Sequence, residues 1–470
     1  MKQYDLVVIG AGGAGITAAL TAVGFGKRVA LVDKNLPGGE CTWSGCIPSK
    51  ALIHLGKRVH EACKLDFISE ALTIELDSVA IMDSVRTTIQ NVYAGETPEA
   101  FKRKGVDFYR GTARFESQNQ LRVESQVITA EKFIVATGTK PAPIRCAVEE
   151  GVEILTNENI FKMETIPESM IIVGAGPIAI EMAQVFNRLG CDVGVILRRR
   201  HILKKEDAEL SRRLKHNLED EGVHFVDNFK LQAISKSEHG VRLCGEGNKH
   251  IETQKVFVAI GRIVDLGELF PSDMEMDWDF KGIRVNKYLQ TTQKNIYACG
   301  DVVGPYRFSH MAEYQGMLAA RNAILPFVLK KRVRYDLIPW VTFTDPELAR
   351  FGITELQAES ILGEGNYKVY EYDYRDLDRA KTEETTNGYI KVIVDKKNYI
   401  LGVHILGERG GELLHEFKLM ADRKIKLTKI QSMIHAYPTY SDAIRQIGKK
   451  AYVESLLNNP IVKLLRKDKS

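Results

Sequence analysis

One pattern, present twice, limits what this chain can fold into. A short apolar strand, a glycine-rich turn and a helix follow one another in YDLVVIGAGGAGITAAL at residues 4–20. The same order returns in SMIIVGAGPIAIEMAQ at residues 169–184. Each helix runs towards a glycine, Gly26 or Gly190, and a second strand follows, VALVD in one case and VGVIL in the other. This is the opening of a βαβ unit, whose two strands lie parallel with the helix packed across them. Two copies in 470 residues imply an α/β chain of about three domains, two of them Rossmann-like.

Composition excludes several other classes. Residues 6–26 carry no charge and have about the length of a membrane span. Their glycines and the flanking Asp5 fit a buried strand and helix better, and the apolar run flows into a structured motif without a cleavage site. Basic and acidic residues nearly balance, 65 against 61, which speaks against a nucleic-acid partner. Seven cysteines are an odd number in a chain with no export signal, and a cytoplasmic location is expected. Cys63, Cys146, Cys191, Cys244 and Cys299 are scattered and read as buried or idle thiols. No pattern of metal ligands stands out.

The two glycine motifs differ in a useful way. In the first, Gly10 permits the tight turn, Gly12 lets a pyrophosphate approach the backbone, and Gly15 lets the helix pack on the strand. Asp33, closing VALVD, suits a ribose hydroxyl. In the second, Gly174, Gly176 and Ala179 hold the equivalent places, but Leu197 stands where the acid would be. Arg198, Arg199 and Arg200 follow, then Lys204 and Lys205. A missing acid and a basic cluster suit a 2′-phosphate, so NADPH is expected over NADH, although some of these arginines can equally be a solvated face.

Cys41 and Cys46 lie in GGECTWSGCIPSK at residues 38–50, directly after the first βαβ unit. With no second ligand pair they make a poor zinc site and a sensible redox disulfide.

Here the chain resembles the pyridine nucleotide-disulfide oxidoreductases, the family of glutathione reductase, dihydrolipoamide dehydrogenase and mercuric reductase. The resemblance spans nearly the whole sequence. It rests on the first glycine motif, GGECTWSGCIPSK, ATG (Ala136, Thr137, Gly138), GAGPIAIE, AIGR with Gly261, YACGD, TDPELARFG and HAYPTYSD, in family order. It implies FAD and NAD(P)H as cofactors, and two dinucleotide-binding domains followed by a C-terminal α+β dimerisation domain. The expected boundaries are 1–143 and 263–335 for the FAD domain, 144–262 for the NAD(P) domain, 336–450 for the interface domain and 451–470 for an extension. From about residue 335 antiparallel strands are expected, then helical patterns at 411–423 and 429–436.

The resemblance also implies roles. Cys41 would exchange with substrate, and Cys46 would lie against the flavin as the charge-transfer thiolate. Lys50 would pair with Glu181 at the flavin's reactive edge, although either could be a helix-surface charge. Asp301 would bind the ribityl chain. A homodimer acting on a small disulfide or thiol-bound substrate is expected, with the C-terminal segment completing the partner's site.

The chain departs from the family at the proton relay. Where the disulfide reductases have a histidine paired with a glutamate, Tyr437 and Asp442 stand here. A tyrosine titrating near pH ~10 is a poor shuttle at neutrality. His435 is an alternative donor or a structural residue. Mercuric reductases share the tyrosine, so metal-ion or quinone reduction and a dihydrolipoamide dehydrogenase-like activity remain open. The tail, however, lacks the cysteine pair those mercuric enzymes use. Pro177 replaces the usual tyrosine gate, and Trp43 between the cysteines is bulky enough to screen Cys41. The tail IVKLLRKDK is apolar and basic, and suits a partner or membrane surface or a partly disordered end.

Overall fold

The computed structural model describes residues 2–65 and 75–467. By internal packing the chain divides into two compact units, residues 1–173 with 189–191 and 231–334, and residues 174–188 with 192–230 and 335–470.

The first unit is organised by a parallel sheet. Strand β1 (Lys2–Ile9) leads through the turn at Gly10–Gly12 into helix α1 (Gly13–Gly24) and strand β2 (Val29–Asp33). β1 pairs in parallel with β2 on one side and with the strand Gln126–Val135 on the other. Val106–Arg110 extends the sheet beyond β2, and Ile296–Ala298 pairs in parallel with Gln126–Val135. Leu6 and Val8 face α1 and the helix Ser309–Ile324, while Val7 and Ile9 face a second core with Phe115, Phe133 and Leu121. A strand buried on both faces reads as a continuous apolar run, which is why LVVI has no polar alternation. The uncharged stretch at 6–26 is therefore strand and helix. Among the described residues no helix is long and apolar enough to cross a membrane.

Helices α2 (Gly39–Trp43) and α3 (Cys46–Ala62) follow β2 and carry the two cysteines. Farther along, Ser169–Val173, Lys255–Val258 and Ile154–Leu155 pair in parallel, and an antiparallel hairpin, Leu231–Ser237 with Gly240–Gly245, lies in the same unit.

The second unit holds the helix Pro177–Arg188 and the parallel strands Asp192–Leu197 and His224–Asp227, joined by the helix Ala208–Asp220. Its larger part is a five-stranded antiparallel sheet ordered Trp340–Thr342, Glu347–Gly352, Ile400–Gly407, Tyr389–Asp395, Tyr367–Asp373. Helices Gly410–Asp422 and Asp442–Leu457 share its core through Leu414, Phe417, Ile444 and Ile447.

One local reading is corrected. The helix read at 429–436 is a 3-10 turn, Leu427–Ser432, followed by extended chain, because Pro438 sits too close downstream for the helix to continue. After the helix Asp442–Leu457 ends, Pro460 starts a further short helix, Pro460–Lys467, where its missing N–H costs nothing. The last three residues of the tail, Asp468, Lys469 and Ser470, lie outside the described residues.

Candidate active site

The first glycine turn is built by close approach. Gly10 has φ +106°, and a Cβ there would stand 2.2 Å from the Ala136 carbonyl oxygen, so the ends of β1 and of the strand before Ala136 meet only through glycine. A Cβ on Gly15 would fall 1.8 Å from the Gly10 carbonyl, which locks α1 against the turn. Gly12 differs: the nearest atom to its missing Cβ is the Gly39 Cα at 3.7 Å. Space is left where a phosphate group would approach the helix N-terminus.

Asp33 closes this turn. One carboxylate oxygen accepts the Ala11 N–H at 2.7 Å and the other the Asn35 N–H at 2.8 Å. Burial raises its proton affinity, and these two bonds oppose the rise. Gly138 and Gly261 both adopt positive φ with open space beside them, and Thr137 is exposed. Asp301 lies in the short turn Gly300–Val302 after the strand Ile296–Ala298. Wholly buried Gln315 accepts the Gly300 N–H at 2.7 Å and so fixes that turn. Burial raises Asp301, and Arg262 and Arg307 pull the other way. Gly10, Ala136 and Asp301 therefore all stand at carboxyl ends of parallel strands in one sheet, where nucleotides bind in such folds.

Cys41 lies in α2, and Cys46 is the first residue of α3, where unpaired N–H groups favour negative charge. The Cys41 thiol hydrogen-bonds the Cys46 sulfur, and that bond, then burial, pushes its proton affinity up. The Cys46 sulfur also lies 3.2 Å from the Ser309 Oγ at the start of the helix Ser309–Ile324. Lys50 is one turn after Cys46 in α3, and both residues are partly buried. Trp43 turns to α4 (Ser78–Tyr93): its indole N–H donates to the Pro37 carbonyl at 2.8 Å and its ring meets Tyr93 at 4.8 Å.

Sequence reasoning missed Glu40. Its carboxylate pairs with Arg262 and accepts from Asn157 at 3.1 Å. Arg262 is held in turn by Thr139 Oγ1 at 2.7 Å and the Thr139 carbonyl at 2.8 Å. Burial pushes Glu40 up to about 7 despite Arg262, with Asp301 and Cys46 adding to the rise. Both residues lie inside motifs already singled out, GGEC and AIGR. Only their distance along the chain hid the pairing.

In the second unit, Gly176 has open space beside it, and Ala179 is wholly buried. Gly174 has φ +148°, and Pro177 is the exposed first residue of its helix. Leu197 is fully buried, while Arg198, Arg199, Arg200, Lys204 and Lys205 are exposed. The Leu203 N–H donates to the Ala175 carbonyl at 2.8 Å, which draws this basic loop to the glycine turn. Glu181 is buried and accepts the Phe343 N–H at 3.0 Å.

Tyr437 and Asp442 are not bonded as a pair. The exposed Tyr437 donates to Asp378 at 2.9 Å, and that bond raises the phenol's proton affinity further. Asp442 instead accepts from Arg445 at 2.6 Å and Gln446 at 3.1 Å. His435 turns inward, with its Nε2 3.0 Å from Glu416.

A parallel sheet with a glycine-rich nucleotide turn, a dithiol on the helices that follow its second strand, and an antiparallel sheet later in the chain define a class of nucleotide-dependent redox enzymes. Residues 4–317 match the family model for pyridine nucleotide-disulphide oxidoreductases, and residues 338–447 match that family's dimerisation domain. The chain belongs to this family, whose members use FAD with NAD(P)H as electron donor. It is 32% identical to dihydrolipoyl dehydrogenase 2 of Arabidopsis thaliana, across 95% of this chain and 90% of that protein. It is 28% identical to a mercuric reductase of Bacillus cereus, across 94% of this chain and 70% of that protein. The HOCl-induced flavoprotein disulfide reductase RclA of Escherichia coli, in its Cu(II) complex, shares the fold with a TM-score of 0.87 at 24% identity. That match covers 96% of this chain and all of the other. The chain is thus an NAD(P)H-dependent flavoprotein disulfide oxidoreductase. The open face of Gly12 and the acids Asp33 and Asp301 at strand ends fit FAD.

Proposed function

We propose that the protein takes electrons from NADPH, by way of FAD, to the Cys41–Cys46 pair and gives them to a small disulfide or thiol-bound substrate. The observation that carries this reading is the hydrogen-bonded pair of cysteine thiols on the two helices that directly follow the first βαβ unit. Gly10, Gly12, Gly15, Asp33, Thr137, Gly138 and Asp301 would hold FAD, which supplies two-electron exchange between nicotinamide and disulfide. Lys50 and Glu181 would flank its reactive edge. Gly174, Gly176, Ala179, Arg198, Arg199, Lys204 and Gly261 would serve the nicotinamide nucleotide. The buried Leu197 and the tie from Leu203 to Ala175 support NADPH over NADH.

The thiol steps follow from the residues. The Cys41–Cys46 disulfide accepts two electrons and two protons to become a dithiol. The Cys41 sulfur, once deprotonated, attacks the substrate disulfide; that S–S bond breaks, a mixed disulfide forms and one thiolate leaves. The Cys46 sulfur then attacks Cys41, releases the second thiolate and restores the internal disulfide. Cys41 holds its proton tightly, so the first attack needs a base.

Residues 1–143 with 263–335, 144–262 and 336–450 would form the FAD, NADPH and interface domains. The matched dimerisation domain supports a homodimer, and five scattered cysteines suit a reducing cytoplasm. Exposed Ile461, Leu464 and Leu465 on the last helix support a surface contact by the tail.

A second reading, metal-ion or quinone reduction, is favoured by one observation: Tyr437, exposed and bonded to Asp378, cannot act as a base near neutrality. Anaerobic NADPH consumption with lipoamide, glutathione disulfide and a thiol-complexed mercuric ion, side by side, separates the two. Turnover of neither disulfide, with turnover of the metal, would exclude the first reading. Tyr437→His should speed disulfide reduction if the missing base is limiting.

A further inference from the structure

The basic segment after the strand Asp192–Leu197 is held in one unusual shape. Arg198, Arg199, Arg200, Lys204 and Lys205 are exposed, but Ile202 and Leu203 between them are buried, 2% and 3% exposed. Leu203 sits at φ +47°, a region costly for a bulky side chain, so its surroundings must hold it there. Its N–H donates to the Ala175 carbonyl at 2.8 Å, and its carbonyl accepts the Glu206 N–H at 2.8 Å. The hydroxyl of buried Ser211 donates to the Ile202 carbonyl at 2.8 Å.

The rest of the hold comes from the antiparallel sheet. Trp340, Arg350, His404 and Lys391 stand in register on four neighbouring strands. Their chain neighbours Ala349, Phe351, Val403 and Val392 fill the core shared with the helices, so alternation turns this polar row to the opposite face. The row meets the end of the basic segment. The Trp340 indole N–H donates to a Glu206 carboxylate oxygen at 2.6 Å. The Arg350 guanidinium lies 4.5 Å from the Trp340 ring centre and donates to the carbonyls of Lys205 and Gly352. Lys391 lies 3.2 Å from Glu209 and 3.6 Å from Asp207, whose carboxylate caps the helix Ala208–Asp220.

Stability alone does not account for this arrangement. Glu206, Arg350, Lys391 and His404 are all buried, and an apolar row of the same size would pack as well without desolvating charge. Directional bonds to one carbonyl and one carboxylate fix position instead, and both acceptors close the basic segment. We propose that Trp340 and Arg350 are positioning residues for the nucleotide 2′-phosphate: they hold residues 198–206 in the shape that gathers the exposed cations beside the glycine turn at Ala175. Arg350, 3% exposed, reaches no ligand itself and acts through Lys205. This role rests on the reading of the segment as NADPH-selective.

The test is calorimetric binding of 2′,5′-ADP and of 5′-AMP, which lacks the 2′-phosphate, to the FAD-loaded full chain. W340F keeps an aromatic ring beside Arg350 and removes only the indole donor. R350K keeps the charge but loses the planar fork that reaches two carbonyls. A hydrogen bond to a charged group is worth about tenfold or more, and affinity falls with the fraction of protein in the binding shape. Each variant should therefore bind 2′,5′-ADP roughly 3- to 10-fold more weakly. Binding of 5′-AMP should not change, and the KM for NADPH should rise with kcat constant. Unchanged 2′,5′-ADP binding in either variant would overturn the proposal, as would equal weakening of both nucleotides, the mark of general damage. Equal binding of the two nucleotides by the wild type would instead overturn the NADPH reading, and this role with it.

Discussion

Replacing Glu40 with Gln tests the electrostatics around the cysteine pair, because two effects oppose one another there. Arg262 stabilises the carboxylate, while burial, Asp301 and Cys46 destabilise it, and burial wins: the group rises from 4.5 to about 7. Each tenfold change in proton affinity is worth about 1.4 kcal/mol. Discounted for a side chain that is 34% exposed, the displacement amounts to ~1–2 kcal/mol. The sign follows from the direction. The folded protein binds this proton more tightly than the unfolded chain, so the stabilisation is complete below pH 4.5, falls as pH rises towards 7, and is gone above it. Potentiometric titration of the folded wild type against E40Q reads this directly. The wild type should release one additional proton centred near pH 7. Release of that proton wholly in the ordinary carboxylate range would refute the argument that burial outweighs the ion pair. In the reduced protein, alkylation of Cys46 should respond to pH near 7 in the wild type and lose that inflection in E40Q, since the ionised Glu40 repels a thiolate at Cys46.

Other outcomes follow from the same geometry. Gly10→Ala places a methyl 2.2 Å from the Ala136 carbonyl at φ +106°, so the purified protein should fail to retain FAD, seen as loss of flavin absorbance. Arg188, with its side chain 5% exposed, holds Glu221 at 2.7 Å and Asp345 at 2.8 Å. Arg188→Met removes the cation from both carboxylates and should cost ~3–5 kcal/mol in urea denaturation, with Arg188→Lys falling in between. Arg198→Ala should raise the KM for NADPH by roughly 10- to 100-fold, the worth of a charge-assisted bond to phosphate, and leave that for NADH nearly unchanged.

Much of this molecule was legible in the sequence because local pattern and global fold agree. The apolar runs around Val7, Ile172 and Ile134 are strands buried on both faces, and the glycines stand where backbones touch. The antiparallel sheet after residue 335 was equally plain in GYIKVIVD and LGVHILG. The segment at 429–436 misled because its helical periodicity is overridden by Pro438.

Side-chain partners were less legible. Glu40 and Arg262 sit in motifs more than two hundred positions apart, and nothing local pairs them. Tyr437 stands out in the sequence, but its bond to Asp378, in a helix some sixty residues earlier, depends on tertiary packing. The same holds for Ser309 beside Cys46.

The most direct test of the central claim is to count thiols by mass spectrometry. The oxidised holoenzyme is alkylated anaerobically before and after one equivalent of NADPH. Two new alkylation sites, at Cys41 and Cys46 and nowhere else, are predicted. Flavin reduction that leaves both cysteines unmodified would contradict the claim that electrons leave the flavin through this pair.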